Sequence, residues 1–117
     1  MSKRISVNQA KMLNRNRYIL KKLTKVDNKD RKTILNNAPS ELFQVLNLIF
    51  KIMADDNTKL STKEERKIKK HRPFIRKSSD LKTSAIKRKL RNQRGGFLPA
   101  ILSAALPIIG SLVKSIL

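Results

Sequence analysis

The sequence predicts an all-α protein, and three observations support that fold class. Apolar residues recur at three- and four-residue spacing along most of the chain. No segment alternates apolar and polar residues, and no Asn-Gly or Asp-Gly pair offers a hairpin turn, so strands are not expected. A chain of 117 residues has room for one small core. We expect a small irregular helical bundle, then a basic helical arm, then an apolar amphipathic C-terminal helix.

The first half of the chain predicts three helices. Residues 7–25 place apolar residues at helical spacing between lysines and arginines, which predicts one helix. An Asp-Asn pair breaks this pattern and can cap a second helix over about residues 28–37. A Pro-Ser pair then opens the segment ELFQVLNLIFKIMADD, which is apolar nearly all round. A helix of that kind is usually buried by its neighbours, so we expect it at the centre of the core.

The second half before the tail predicts two more helices, both rich in charge. Ser61 to Glu64 reads Ser-Thr-Lys-Glu, a capping box that predicts a helix over about residues 62–71 with little to bury. Pro73 is expected to end that helix, and the Phe-Ile pair after it to fold back as an apolar plug for the core. A last basic helix is expected over about residues 80–93.

The charge of the chain predicts an anionic partner. The sequence has 28 Lys and Arg against 8 Asp and Glu, a formal net charge of +20. Residues 59–94 hold 15 of the basic residues and 3 of the acidic ones. Positive charge at this density opposes compaction unless a polyanion neutralises it, which favours nucleic acid or an anionic membrane as the partner. A basic surface of the ribosomal or merely soluble kind is the alternative.

Contacts to DNA are expected to reach phosphates and to carry no sequence preference. Lysine and arginine at this density give affinity and little sequence information. The chain has 1 Tyr and 4 Phe, and most of the Phe are needed for the core or the tail, so base stacking is not expected. The predicted contact residues lie in the two basic helices and the segments around them: Lys63, Arg66, Lys67, Lys69, Lys70, Arg72, Arg76, Lys77, Lys87, Arg88, Lys89, Arg91 and Arg94.

The composition divides the chain into three parts: a small basic helical domain (1–76), a basic arm ending in Gly-Gly (77–96) and an apolar tail (97–117). Fourteen of the 21 tail residues are Ala, Val, Ile, Leu or Phe. As a helix the tail reaches about 30 Å, roughly the thickness of the bilayer core. However, Pro107 interrupts its middle, and the less apolar residues fall on one narrow stripe: Ser103, Pro107, Gly110, Ser111 and Lys114.

This pattern favours a membrane-active helix that lies obliquely in the interface of an anionic membrane. The predicted membrane contacts are its apolar residues: Phe97, Leu98, Ile101, Leu102, Leu106, Ile109, Leu112, Val113 and Ile116. Three alternatives stay open, because one apolar run does not distinguish them: a transmembrane anchor, a core helix, or a helix docked in a groove of a partner.

The residues that most enzymes need are missing. There is no cysteine, and the one histidine, His71, stands in Lys-Lys-His-Arg-Pro, where positive neighbours disfavour its protonation and a surface position is expected. No glycine-rich phosphate loop occurs, and Asp55-Asp56 is read as a helix stop. We therefore predict a non-enzymatic protein with no catalytic residue, metal, cofactor or small-molecule substrate.

The start of the chain argues against secretion. The tail resembles secreted amphibian lytic peptides, which would suggest a precursor of a membrane-active defence peptide. The N-terminus, MSKRISVNQAKML, lacks the continuous apolar segment of a secretory signal, so this class is disfavoured.

The join between arm and tail carries the sharpest resemblance. Gln93-Arg94-Gly95-Gly96-Phe97, followed by Leu-Pro and a small-apolar run, resembles the adenovirus core-peptide precursors. The wider succession of basic and apolar segments is similar to the small basic virion proteins of adintoviruses and other Maverick/Polinton-like elements. The basic part departs from the adenoviral pattern, since it is a mixed helical domain and not an arginine-rich peptide.

The resemblance implies a core protein of a virion, present in the host nucleus during assembly and accompanied by viral capsid proteins. It also implies maturation by an adenovirus-type cysteine protease that cuts between Gly96 and Phe97, with Gln93 in a specificity pocket. Glycines that only end the basic helix are the alternative. The expected function is non-specific DNA binding, with a membrane-active tail that cleavage after Gly96 can free. A membrane-lytic entry factor, or a membrane-anchored basic protein, whose DNA binding is incidental is the alternative.

Overall fold

The computed structural model describes residues 5–54, 62–92 and 97–117, and within these ranges all regular structure is helical. The predicted all-α class is confirmed. The elements, in chain order, are α1 (Val7–Arg15), α2 (Arg17–Lys25), α3 (Asn28–Asn37), α4 (Ser40–Ala54), α5 (Thr62–Ile68), a 3-10 helix (Lys69–His71), α6 (Arg72–Ser79), α7 (Thr83–Asn92) and α8 (Phe97–Ile116).

The prediction of one helix over residues 7–25 is wrong, because the chain breaks at Asn16 into α1 and α2. The side-chain amide of Asn16 donates to the Met12 carbonyl at 2.7 Å and to Glu41 of α4 at 3.2 Å. An asparagine that bonds the backbone of the preceding turn in this way competes with helix continuation. The break lets α2 turn so that Leu20 and Leu23 become fully buried.

The second helix is confirmed at residues 28–37 as α3, which begins where the sequence predicted a cap. The Asp27 carboxylate accepts from the Asp30 amide at 2.8 Å. Arg31 of α3 is 9% exposed and fastens α3 to α2. It donates to the carbonyls of Leu23 at 3.0 Å and Val26 at 2.7 Å. These bonds satisfy carbonyls at the end of α2 that no later turn can reach.

α4 is the central helix, as predicted from its apolar circumference. Its buried side chains cover most of its surface: Leu42, Phe43, Val45, Leu46, Leu48, Ile49, Phe50, Ile52 and Met53. α6 and α7 pack on α4, and α1 and α8 also contact it. The predicted helix stop at Asp55-Asp56 and the first residue of the Ser61 capping box lie outside the described residues.

Pro73 does not end the helix that precedes it, which corrects the prediction. α5 ends at Ile68, the 3-10 helix covers the rest of the predicted segment, and Pro73 stands in the first turn of α6. A proline is tolerated there because the amide that it lacks has no helical partner at that position. The predicted apolar plug is confirmed but helical: Ile75 is buried, and the rings of Phe74 and Phe50 meet edge to face at 5.9 Å.

α7 begins at Thr83, three residues later than predicted, because the chain first turns at Asp80 and Leu81. The Asn47 side chain of α4 donates to the Leu81 carbonyl at 3.0 Å and holds this turn in place. Ile86 of α7 is buried against the core. α6 runs across residue 76, where a domain boundary was predicted. The division of the chain into three parts stays a prediction.

α8 completes the core. It packs against α1, α2 and α5 and also touches α4. Ile101, Leu102, Ala104 and Ala105 have no exposed surface at all. Of the placements that the sequence left open for the apolar tail, a core helix is the one in this structure. The described residues form a body of 37 × 29 × 25 Å, in which α8 and α4 lie between an outer layer of α1 and α2 and an outer layer of α6 and α7.

Candidate nucleic-acid interface

A basic surface covers the outer sides of α5, the 3-10 helix, α6 and α7, and we call it the α5–α7 surface. These elements bury few side chains, so their polar faces point outward while residues such as Ile68 and Ile86 hold them to the core. Most of the predicted DNA contacts with described side chains are exposed there: Lys63, Arg66, Lys69, Lys70, Arg76, Lys77 and Arg88.

Arg72, Lys87 and Lys89, all predicted contact residues, interact with other side chains of the protein. Arg72 donates to both carboxylate oxygens of Glu65, at 2.7 and 2.8 Å, so its charge is partly neutralised. The Lys87 ammonium lies 5.6 Å from the centre of the Phe43 ring, and the Lys89 ammonium lies 4.3 Å from that of Phe74. The two lysines sit half-buried on either side of the buried stripe of α7 and cover aromatic rings of the core.

The ionisation of Lys89 reflects its crowded position. Burial, and after it the charge of Lys77, lowers the pKa of Lys89. The electron-rich face of the Phe74 ring opposes that effect, because it favours the cation. Lys77 and Lys89 therefore repel each other on this surface, and an anion bound between them would relieve the repulsion.

The remaining predicted residues of the interface and the junction lie outside what the structure describes. Lys67 belongs to α5, Arg91 to α7 and Phe97 to the start of α8, but the structure does not describe their side chains. The other four residues precede α8 and fall in the segment between the described ranges: Gln93, Arg94, Gly95 and Gly96.

The sequence analysis missed a second group of exposed cations, on α2. Arg17, Lys21, Lys22 and Lys25 are all exposed, and we call this group the α2 surface. Neither α1, α2 nor α8 contains an acidic side chain. The signal was present in the lysines and arginines interleaved with the apolar residues of this segment. The prediction placed the DNA contacts within residues 59–94 because the charge is most concentrated there.

His71 is half-buried beside the exposed cations of the α5–α7 surface. Burial, and after it the charge of Lys70, lowers the pKa of His71, in the direction expected from its sequence context. Within residues 5–54, 62–92 and 97–117 no three His, Asp or Glu side chains come together as metal ligands would.

The predicted membrane contacts form the inner side of α8. Leu98, Ile101, Leu102, Ile109 and Val113 are buried. Half-buried at the edges of this side are Leu106, Leu112 and Ile116. The polar stripe is the outer side, where Pro107, Ser111 and Lys114 are exposed and Ser103 and Gly110 are half-buried. Leu98–Ile116 is long and apolar enough to cross a membrane by length and composition, a test that the core helix of a soluble protein also passes.

The chain resembles none of the known proteins with which it was compared. A scan against protein-family models and searches of curated proteins and of solved structures found no match. The exposed charges of the chain itself are therefore the basis for its proposed function.

Proposed function

We propose that this protein is a non-enzymatic DNA-binding protein that engages the phosphate backbone through the α5–α7 surface. One observation carries the proposal. Seven exposed lysines and arginines project from three consecutive helical segments and the 3-10 helix between them, while the apolar sides of these elements are fixed on the core. The backbone that carries these cations is already ordered by the core, so binding to phosphates has only the side chains left to order.

The same surface gives a reason for the lack of sequence preference. Phe43 and Phe50 are fully buried, and Phe74 lies beneath Lys89, so these rings are not free to stack on bases. The groups that do project are lysine and arginine, which contact phosphates without reading base edges unless they are held in a groove. The affinity therefore depends on charge and falls steeply with salt.

The test is a titration of fluorescent duplexes of unrelated sequence with the full chain at several salt concentrations. We expect similar affinities for all duplexes and a linear fall of log K with log salt. The triple variant Lys69→Gln/Lys70→Gln/Lys77→Gln should flatten that slope by up to about 2.7, since each phosphate contact contributes about 0.9.

The control variant removes the same charge from scattered exposed positions: Lys11→Gln/Lys29→Gln/Lys51→Gln. It should retain most of the wild-type slope. A single tight consensus site, or an affinity indifferent to salt, would overturn the proposal. Equal slopes for the two triple variants would move the interface away from the α5–α7 surface.

The setting of this activity is a further part of the proposal. The Gly-Gly-Phe-Leu-Pro join supports a virion core protein, assembled in the host nucleus with capsid proteins and cut after Gly96 by an adenovirus-type cysteine protease. Sequencing the C-terminal fragments of virion-associated protein tests the cut. Gly96→Val should block it and leave DNA binding intact. Virions that contain only the full-length chain would contradict maturation at this join.

A membrane-lytic or membrane-anchored role is the second candidate, favoured by the length and apolarity of α8. The side of α8 that would enter lipid is the side that the core buries, so contact with an anionic membrane requires α8 to leave α1, α2 and α5. We expect peptide 97–117 to leak dye from anionic vesicles and the folded full chain to leak far less. Leu102→Glu/Ile109→Glu should abolish leakage by the peptide. Leakage unchanged by these substitutions would contradict a role for this face.

A further inference from the structure

We propose that a single molecule bridges two DNA duplexes, one on the α5–α7 surface and one on the α2 surface. The inference rests on the proposed DNA binding and adds a second binding surface, which makes each molecule a crosslink. Three features support it: the charge of the α2 surface, its position, and the stiffness of DNA.

The α2 surface has the chemistry of a polyanion site. Its four cations are exposed, while Leu20 and Leu23 on the inner side of α2 are fully buried. The guanidinium of Arg17 extends along α8, within 3.8 Å of the place that a side chain at Gly110 would occupy. Lys114 is exposed one helical turn further along α8 and extends the positive area.

No carboxylate of its own layer neutralises the α2 surface. The helices of that layer, α1, α2 and α8, lack acidic side chains. The carboxylate that reaches the layer from α4 is Glu41, which pairs with Arg15 at 2.5 Å and with Asn16. Asp27 is exposed two residues beyond Lys25, so the charge around α2 is positive on balance and not throughout. This net positive charge attracts a polyanion over about a Debye length, roughly 8 Å at physiological salt.

Most of the α5–α7 surface belongs to helices whose packing partner differs from that of α2; α5 is the exception, because it packs on α8 as α2 does. α2 packs on α8 and α1, whereas α6 and α7 pack on α4, and α8 and α4 contact each other in between. The three lysines of the α2 surface point away from α8, because the buried residues of α2 are on the opposite side of the helix. Arg17 lies beside α8, with its guanidinium 3.8 Å from the place that a side chain at Gly110 would occupy. The exposed cations of α6 and α7 point away from α4 for the same reason as the α2 lysines. The surfaces are thus separated by the helices of a body that measures 37 × 29 × 25 Å.

One duplex does not reach both surfaces. DNA has a persistence length of about 150 base pairs, and bending a site of 20–30 base pairs by 40–90° already costs about 1–6 kcal/mol. Passing round a body of this size requires a larger bend over a similar length. A second duplex meets less repulsion from the first, because the cations of the protein neutralise part of the charge of each duplex and salt ions in the surrounding water screen the rest.

The experiment measures binding and bridging separately with the full chain. Bridging is the capture of a fluorescent 30-base-pair duplex by beads that carry an unlabelled duplex, with protein as the link. Binding is the anisotropy of the fluorescent duplex alone. Three variants lose three charges each: Lys21→Gln/Lys22→Gln/Lys25→Gln on the α2 surface, Lys69→Gln/Lys70→Gln/Lys77→Gln on the α5–α7 surface, and the scattered control Lys11→Gln/Lys29→Gln/Lys51→Gln.

We expect the wild type and the scattered control to bridge, and both single-surface variants to lose at least tenfold in capture while still binding one duplex. Bridging that persists in both single-surface variants would overturn the proposal, since it would indicate self-association of molecules that each hold one duplex. Binding by the wild type without any capture would overturn the bridging model and leave the proposed function intact. Absence of binding would defeat the proposed function itself.

Discussion

Arg88 and Lys89 are neighbours on α7 with the same charge and different surroundings. Arg88 is exposed, whereas Lys89 is half-buried over the Phe74 ring. Two consecutive residues of a helix point about 100° apart, so one side chain reaches solvent while the next lies along the protein. The position of a basic residue on a helix thus decides whether its charge projects into solvent or lies along the protein.

Alanine substitutions distinguish these two kinds of position. Lys89→Ala should lower the free energy of unfolding by about 0.5–1 kcal/mol, because the Phe74 ring loses both the cation and the alkyl stem that cover it. Arg88→Ala should change stability by less than about 0.5 kcal/mol and should flatten the salt dependence of DNA binding by about 0.9. Urea unfolding and duplex titration of both variants provide the measurements. Equal effects of the two variants on stability would contradict the packing role of Lys89.

Arg31 illustrates a buried cation with a purely structural role. Its guanidinium donates to two backbone carbonyls and to the Asn28 side chain. Arg31→Met should cost about 1–3 kcal/mol, because it leaves buried acceptors at the end of α2 without donors. The exposed neighbour Lys32 provides the matched control, and Lys32→Met should cost less than about 0.5 kcal/mol. Urea unfolding of both variants tests this; similar losses would show that Arg31 contributes no special contact.

Glu41 links stability to acid. Hydrogen bonds from Arg15 and then Asn16 lower the pKa of Glu41 below its usual range. A lowered folded-state pKa means that the unfolded chain binds the proton more readily, so the stabilisation is complete above the unfolded pKa of about 4.3. It is lost as the pH falls through the lower folded value.

The thermal unfolding midpoint should therefore decrease as the pH is lowered below about 4.3. Glu41→Gln should remove the part of this decrease that comes from protonation of Glu41. Arg15→Gln removes the largest cause of the shift and should have the same effect in part. A pH profile of Glu41→Gln that parallels the wild type throughout would exclude this contribution.

At the scale of elements, the sequence predicted the positions of most helices and missed how they pair. Periodicity located α3 and α4 because their caps and apolar faces are local features. At the break, Asn16 makes one local bond, to the Met12 carbonyl, and one bond to Glu41, a residue 25 positions away that no local pattern indicates. The start of α6 is not predicted, because Pro73 ends helices in general, although a first-turn position tolerates it.

The candidate interface was predicted in part for the same reason. Charge density along the chain pointed to residues 59–94, and the exposed members of that set do form one surface. Charge density does not indicate which lysines fold over aromatic rings, because Phe43 and Phe74 come from other helices. Charge density also did not indicate the α2 surface. The cations of α2 lie together on an outer face only because α8 covers the apolar side of that helix.

The packing of α8 predicts a clear contrast between its two sides. Leu102 has no exposed surface, so Leu102→Ala should lower the free energy of unfolding by about 2–5 kcal/mol. Ser111 lies on the outer side, and Ser111→Ala should change it by less than about 0.5 kcal/mol. Circular dichroism during urea unfolding measures both. A small effect of Leu102→Ala would indicate that α8 is not held in the core.

For the molecule as a whole, charge and stability are coupled. A net charge of +20 on a body of 13.2 Å radius of gyration repels itself, and counterions or a polyanion relieve that repulsion. The thermal midpoint should rise with added salt and rise further with short duplex DNA at low salt. At a duplex concentration 100 times Kd the stabilisation should be about 2.7 kcal/mol. A midpoint unaffected by saturating duplex would mean that DNA binds the unfolded chain equally well.

The burial of α8 also sets the order of events while the chain is being made. Leu13, Leu20 and Leu23 emerge from the ribosome early, and the helix that covers them ends about 90 residues later. At 5–20 residues per second these apolar sides wait for several seconds without their partner. Helices α1 and α2 therefore reach their final packing only after α8 has emerged. During that interval the nascent chain is exposed to chaperones, to aggregation and to the polyanionic RNA around it.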